Sequence, residues 1–254
     1  MKLKNKFVSI FALIFTLILI CCFSVFNYTK TASLVYLNGE TRKVPIYSVD
    51  RSDNKIAISF DCAYGADYTD SLLNTLDNYG VKCTFFVVEF WVKKYPEKVA
   101  EILKRGHEIG THSSTHPYMS KLESTAINKQ LESSINAIET ITNTKVTLFR
   151  PPYGDYSNSV INEANKLGLY TIQWSVDSLD WKNLSESEIA NRVISKTKSG
   201  AIILCHNNGL NTYKALPNIL SALIDKGYEF VKISDLIYKD NYTIDSFGVQ
   251  RVKG

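Results

Sequence analysis

Two histidines four residues apart, in His112-Ser113-Ser114-Thr115-His116, could do chemistry together. The spacing lets both imidazoles face one point from a helix or a tight loop. Imidazole nitrogen suits zinc, and a carboxylate from another loop would complete three protein ligands with water in the fourth position. An HxxxH pair alone is unspecific, because surface and capping histidines outnumber ligands. Its company changes the weight. Asp61, Arg150, Asp177, Asp180 and His206 each follow a short apolar run, as the two histidines do. His107 stands at the start of such a run and reads as structural.

The runs lie at 55–60, 83–88, 107–110, 146–149, 169–174, 201–204 and 229–233. Between them apolar residues recur at helical spacing: Leu72, Leu73 and Leu76; Val99, Ile102 and Leu103; Ile127, Leu131, Ile135 and Ile138. Val160, Ile161 and Ala164 continue the series, followed by Ile189, Val193 and Ile194, then Ile219, Leu220 and Leu223. Gly80, Gly106, Gly168 and Gly227 stand where these helices should end. Seven strands alternating with helices predict a parallel sheet with helical crossovers, either closed into a barrel or open and doubly wound. In both, side chains at the carboxyl ends of the strands line the site. The ionisable residues above would all project from that rim, which argues for an enzyme.

The rest of the chain sets the context. Lys2, Lys4 and Lys6 precede an apolar run at 7–26, long enough to span a membrane, with the remainder exported. A cleaved signal peptide competes, with Thr31-Ala32-Ser33 as the best cleavage site, and would make the protein secreted. The net charge of +4 falls near neutral without those three lysines, and no basic block suggests nucleic acid. Cys62, Cys83 and Cys205 form neither a disulfide framework nor a CxxC zinc spacing. No GxSxG nucleophile elbow is present. Residues 33–48 read as a hairpin, with 34–37 and 44–47 flanking Asn38-Gly39.

Five ordered stretches resemble the NodB-homology polysaccharide deacetylases, the fourth carbohydrate esterase family. They are Ser59-Phe60-Asp61, Thr111-His112-Ser113-Ser114-Thr115-His116, Arg150-Pro151-Pro152-Tyr153-Gly154, Asp177-Ser178-Leu179-Asp180-Trp181 and Ile203-Leu204-Cys205-His206. The stretches around Asp177–Trp181 and Thr115–Ser120 are most similar to the sporulation-associated PdaB-like branch. The resemblance implies an α/β fold, a distorted (β/α) barrel of about seven parallel strands. It further implies hydrolysis of N-acetyl groups on amino sugars of a cell-wall polysaccharide such as peptidoglycan.

The resemblance also implies roles. His112 and His116 would hold a divalent metal, zinc above all, with cobalt or manganese as alternatives. Asp61 would be the base, paired with Arg150. The Tyr153 backbone N–H would face the oxyanion, His206 would protonate the amine with Asp180 orienting it, and Trp181 and Leu204 would enclose the acetyl methyl. This chain departs from the family where Cys62 replaces a metal-binding Asp, and where Asn207 replaces the Asp after the last histidine. Asp67 reaching in from the loop, Cys62 as thiolate, or two histidines alone are the options for the metal. The last option makes the protein a weak enzyme or a glycan binder. The expected organisation is a membrane anchor or signal segment at 1–29, a hairpin lead-in at 30–50, the deacetylase domain at 51–240 and a tail at 241–254, in a monomer.

Overall fold

The computed structural model of the protein describes Thr16, residues 36–37 and residues 40–253, in two units, Met1–Lys43 and Val44–Gly254. The expected membrane span at 7–26 lies outside the described residues apart from Thr16. Among the described residues no helix is long and apolar enough to cross a membrane. In the first unit Tyr36–Leu37 (β1) pairs antiparallel with Glu40–Thr41 (β2), bracketing Asn38-Gly39 in the sequence. Residues 44–47, expected as the second arm of this hairpin, do not join it. Ile46 bridges Ile172 in parallel, and Ser48–Val49 (β3) pairs elsewhere in the second unit. Ile46 and Val49 are buried there, and a two-stranded ribbon could not have covered them.

The second unit continues with Lys55–Cys62 (β4), Thr69–Asn78 (α1), Thr84–Val87 (β5), Glu89–Lys94 (α2), Pro96–Lys104 (α3), Glu108–Thr111 (β6) and Ser124–Thr142 (α4). Then come Leu148–Phe149 (β7), Asn158–Lys166 (α5), Tyr170–Thr171 (β8), Val176–Asp177 (β9), Glu186–Lys196 (α6) and Ile202–His206 (β10). Thr212–Asp225 (α7), Glu229–Phe230 (β11), Ile233–Leu236 (α8), Tyr242–Ile244 (β12) and Val249–Val252 (β13) complete it. The main sheet runs in the order β8-β7-β6-β5-β4-β10-β9, with β11 also on β4, and every pairing in it is parallel. All seven expected strands are present, joined by the two-residue β9.

Strand β4 is buried on both faces, so it reads as a continuous apolar run with alternating destinations. Ile56, Ile58, Phe60 and Cys62 join the larger core beneath the helices. Ala57 joins Phe86, Leu148, Ile172 and Ile202 in the smaller core, and Asp61 shares the alternation of Ala57 and Ser59. The helices present the expected stripes, with Leu72, Leu73 and Leu76 buried on α1 and Ile127, Leu131 and Ile138 on α4. Pro96 opens α3, where a missing N–H costs nothing, and a Ser185–Glu188 capping box starts α6.

Residues 46–49 run between the end of β8 and the start of β10, where Ile46 bridges Ile172 and Ser48 bridges Ala201. Residues 241–254, expected as a tail, instead supply the hairpin β12–β13, whose second strand pairs with β3. Its short, half-exposed strands lack an apolar period that sequence could reveal. Gly200 makes this seating possible. Its φ is 75°, and a Cβ there would sit 1.7 Å from the Val49 carbonyl oxygen. Gly200→Ala is expected to destabilise the fold by about 3 kcal/mol or more, seen as a lower urea midpoint. An unchanged midpoint would mean that residues 46–49 are not seated against the barrel.

Candidate active site

Strand register assembles the rim residues in pairs. β10 and β4 are aligned so that His206 is the cross-strand partner of Asp61. β6 and β7 align Thr111 with Phe149, which sets the following residues, His112 and Arg150, side by side. His112 Nδ1 then lies 2.7 Å from the Arg150 carbonyl oxygen and donates to it. That bond fixes the tautomer and leaves the lone pair on Nε2, which faces Asp61 Oδ2 at 3.5 Å.

Arg150 and Asp61 form a buried pair, with an Arg150 Nη1 donating to Asp61 Oδ1 at 2.7 Å. The other terminal nitrogen donates to the Gln173 carbonyl, and the guanidinium lies 4.1 Å above the Phe86 ring centroid. Burial by itself would raise the Asp61 carboxyl, but the charge of Arg150, aided by that of His206, holds it below the usual carboxylate range. Asp61 is therefore an ionised base.

His206 is held from the other side. Its Nδ1 lies 2.7 Å from Asp180 Oδ1, and its backbone N–H donates to Asp180 Oδ2 at 2.7 Å. The Thr212 hydroxyl donates to the same Oδ2, across Gly209, where any Cβ would meet Thr212 Oγ1 at 2.0 Å. Burial opposes charge on His206, yet the hydrogen bond and charge of Asp180, aided by Asp61 and Asp177, raise its pKa. The imidazole thus stays protonated above its ordinary value of ~6.5, as an acid must. Asp180→Asn is expected to remove the main support, let burial dominate and lower the His206 pKa, read by NMR titration of the ring. An unmoved titration would refute this account. The sign for stability follows: the protonated His206 stabilises fully below ~6.5, and that support fades as pH rises through its raised folded value.

His112 and His116 converge as expected, their Nε2 atoms 3.2 Å apart. The loop between them is built for this, since Ser113 (φ 72°) and His116 (φ 59°) both take left-handed backbone. Gln130 on α4 accepts from the Ser114 and Thr115 N–H groups at 3.1 and 2.9 Å and donates to the Thr115 hydroxyl. Ser113 Oγ accepts from the His116 N–H. Burial first, and then the neighbouring His112, lowers the His116 pKa to about 4, and burial also lowers that of His112. Both rings are neutral near pH 7 and able to ligate.

The donor set can be tested against a metal on these distances. Two nitrogens at ~2.0–2.1 Å from a tetrahedral ion stand ~3.3 Å apart, so the two imidazoles fit one edge of such a site. A third protein donor does not join them. Among the described residues no group of three His, Cys, Asp or Glu side chains is arranged to hold a metal. Cys62 is fully buried in the core under the helices, its Sγ 3.8 Å from the Phe60 carbonyl oxygen. Burial, reinforced by the Asp61 charge, pushes its thiol well above the usual range, so it is no thiolate. Asp67 is exposed, with Oδ2 beside Gly65, where a Cβ would lie 3.4 Å away.

The remaining expected residues surround the centre. Tyr153 lies in a 3₁₀ turn, Pro152–Gly154, with φ 58°, a strained conformation for a bulky residue and a mark of functional constraint. Trp181 is exposed beside Asp180, and Leu204 is buried on β10 two residues before His206. Asp177 caps its own turn, accepting from the Leu179 N–H at 2.8 Å. Asn207 donates to the Gly65 carbonyl and the Thr69 hydroxyl. Gln130, Thr212 and Gln173 are supports that sequence reading missed, because polar residues in helices and loops give no signal until their partners are in place.

Comparison with known proteins now gives the chain its relatives. A family model described as polysaccharide deacetylase matches residues 48–172. The chain is 35% identical over 210 residues to the YlxY protein of Bacillus subtilis (strain 168), covering 83% of this chain and 65% of that one. It is 35% identical over 196 residues to a peptidoglycan-N-acetylglucosamine deacetylase of Bacillus cereus, covering 75% of this chain and 92% of the relative. Other relatives are longer, and the chain spans only 41% of the deacetylase PgdA of Listeria monocytogenes. Among solved structures, BA3943, described as a CE4 family pseudoenzyme from Bacillus anthracis, matches at TM-score 0.75 and 34% identity, over 77% of this chain and 69% of that one. A mutant of it, described as having restored enzymatic activity, matches equally well, with TM-score 0.75. With its rim residues in register and a relative matched over almost its whole length, the chain belongs to the polysaccharide deacetylase family.

Proposed function

We propose that this protein hydrolyses the N-acetyl group of amino sugars in a cell-wall glycan, peptidoglycan or a related polymer, releasing acetate and a free amine. The observation that carries this reading is the pairing of an ionised base, Asp61 on Arg150, with a protonated acid, His206 on Asp180, across one strand register. A binding function would need neither the opposed protonation states nor both supporting residues. Asp61 takes the proton of the attacking water, and Arg150 keeps the carboxylate charged and aimed. The Tyr153 N–H faces the oxygen on which charge develops. His206 gives its proton to the departing amine, with Asp180 retaining the imidazole's orientation, while Trp181 and Leu204 enclose the acetyl methyl. His112 and His116 would hold a divalent cation, zinc or alternatively cobalt or manganese, which would supply Lewis acidity toward the acetamide. The apolar run at 7–26 supports a membrane-held, exported placement, and a sporulation role rests on the branch resemblance.

A second reading is favoured by one observation: Cys62 stands buried and protonated where the family carries a carboxylate ligand. On that reading the protein binds glycan and turns it over feebly or not at all. The test is acetate release from N-acetylated peptidoglycan by the full chain, with metal content measured after zinc or cobalt loading. Near one equivalent of metal with acetate release supports the enzyme. Absence of both across wall substrates sinks it. Cys62→Asp is expected to destabilise the fold, because its side chain would place an unpaired carboxylate in the apolar core, and an unchanged urea midpoint with raised metal content would instead bring that carboxylate to the site.

A further inference from the structure

The end of the main sheet opposite the rim holds a cavity of about 160 Å³, at the amino ends of β6 and β7. Its apolar wall is Leu103 of α3, Ile138 of α4, Ile109 and Val146. Lys145, Lys232 and His107 line it as well. His107 precedes the four residues of β6 and His112 follows them. At ~3.3 Å per residue the cavity is therefore roughly 16 Å from the histidine pair of the rim.

His107 is 2% exposed, and its two ring nitrogens are treated differently. Nδ1 accepts from the Cys83 N–H at 3.3 Å. Burial first, and then the charge of Lys82, lowers its pKa to about 4, so the ring is neutral near pH 7. A neutral imidazole whose Nδ1 accepts carries its proton on Nε2. That nitrogen lies on the ring edge turned away from Cys83, and among the described residues it has no hydrogen-bond partner. A donor is thus buried beside an open space without the acceptor that its burial demands. The same tautomer argues against a metal there, since neither nitrogen offers a free lone pair.

The rest of the lining indicates what the acceptor is. Glu108 Oε2 is occupied, accepting from the Thr84 hydroxyl at 2.7 Å and the Ser234 N–H at 3.2 Å. The Thr142 and Thr144 hydroxyls donate to the Ile138 and Thr142 carbonyls. Lys232 reaches the exposed Asp235 only at 3.6 Å, a surface contact of little strength. What remains for a ligand is mostly donor: the Nε2–H and the ammonium groups of Lys145 and Lys232. The apolar wall suits water poorly, because a buried water needs about two to four polar contacts, whereas a space of ~150 Å³ accepts a benzene-sized body.

We infer that this cavity is a second binding site, for a small monocarboxylate with a compact apolar body of roughly four to seven carbons. The carboxylate accepts from His107 Nε2–H and pairs with Lys145 and Lys232, while the body packs on Leu103, Ile109, Ile138 and Val146. The site stands apart from the proposed deacetylase chemistry and does not depend on it.

The test is NMR titration of the full chain with benzoate, followed at the His107 Nε2–H and at the Glu108 and Val146 amides. Saturable shifts at all three are expected. Butyrate should bind about tenfold more tightly than acetate, from two further buried methylenes. Benzamide, which has the shape without the charge, should bind about tenfold more weakly than benzoate. Lys145→Glu with Lys232→Glu should cost benzoate about tenfold or more and leave benzamide unaffected, which separates lost charge from general damage. His107→Asn retains an acceptor for the Cys83 N–H but lacks the Nε2 donor, and should also cost benzoate about tenfold; if it does not fold, the lysine variant decides. Shifts that fail to saturate, equal affinity for benzoate and benzamide, or full benzoate affinity in the lysine variant would overturn the site. Inorganic phosphate binding as tightly as benzoate would reduce it to a plain anion contact and overturn the carboxylate assignment.

Discussion

Arg150→Met is expected to lower the unfolding free energy by about 3–5 kcal/mol near pH 7, because it strands the buried Asp61 carboxylate without its partner. Methionine replaces part of the apolar stem but none of the charge, and takes the guanidinium off the face of Phe86. Asp61 is 6% exposed and Arg150 fully buried, so water cannot take over the pairing. The pH dependence gives the signature. In the parent the depressed Asp61 pKa contributes stability that is present above ~3.9 and lost as pH falls through the folded value. In the variant burial prevails and raises that pKa, so the gap between the two proteins should narrow towards acid pH. Adding Asp61→Asn to the variant should recover much of the loss, since no buried charge then lacks a partner. Urea melts from pH 4 to 8 measure all of this, and a constant, small gap would show that the pair is solvated.

Asp61→Asn carries the largest expected effect on turnover, a fall of about 10²–10⁴-fold in acetate release. The amide keeps the shape of the carboxylate but cannot accept a proton from water at neutral pH. Arg150 then loses its counter-charge, so the folded fraction must be checked by circular dichroism before rates are compared. Glycan titration supplies the second control, because the amide keeps the shape of the site and binding should persist. Acetate release at the parent rate would remove Asp61 from the chemistry and transfer the role of base to another rim residue.

Much of this arrangement was legible before any coordinate. The apolar runs and helical stripes gave every main-sheet strand but β9, whose two residues carry no period. The rule that sites lie at the carboxyl ends of parallel strands collected Asp61, His112, Arg150, Asp180 and His206, and register then paired them. Alternation along β4 already sends Cys62 to the side of Phe60 and away from Asp61, a parity argument that sequence alone could have used against a thiolate ligand. The β3 pairing was not legible. Ile46 and Val49 gain their burial from contacts with distant chain, and local pattern contains no information about such partners. Asn38-Gly39 suggested a hairpin with 44–47 as its second arm, and the core outcompeted that pairing. The supports from Gln130 and Thr212 were hidden for the same reason.

The seating of residues 46–49 between β8 and β10 also sets an order in time. Residues 46–49 are made early, yet the hairpin that pairs with them is made much later: Arg251, paired with Asp50, lies 201 positions further on. At translation rates of ~5–20 residues per second, β3 waits roughly 10–40 s for its partner strand. Ile46 and Val49 leave the ribosome before their contacts at Ile172 and Gly200 exist. β3 is thus held by a strand far away in synthesis, and its pairing waits until that strand has emerged.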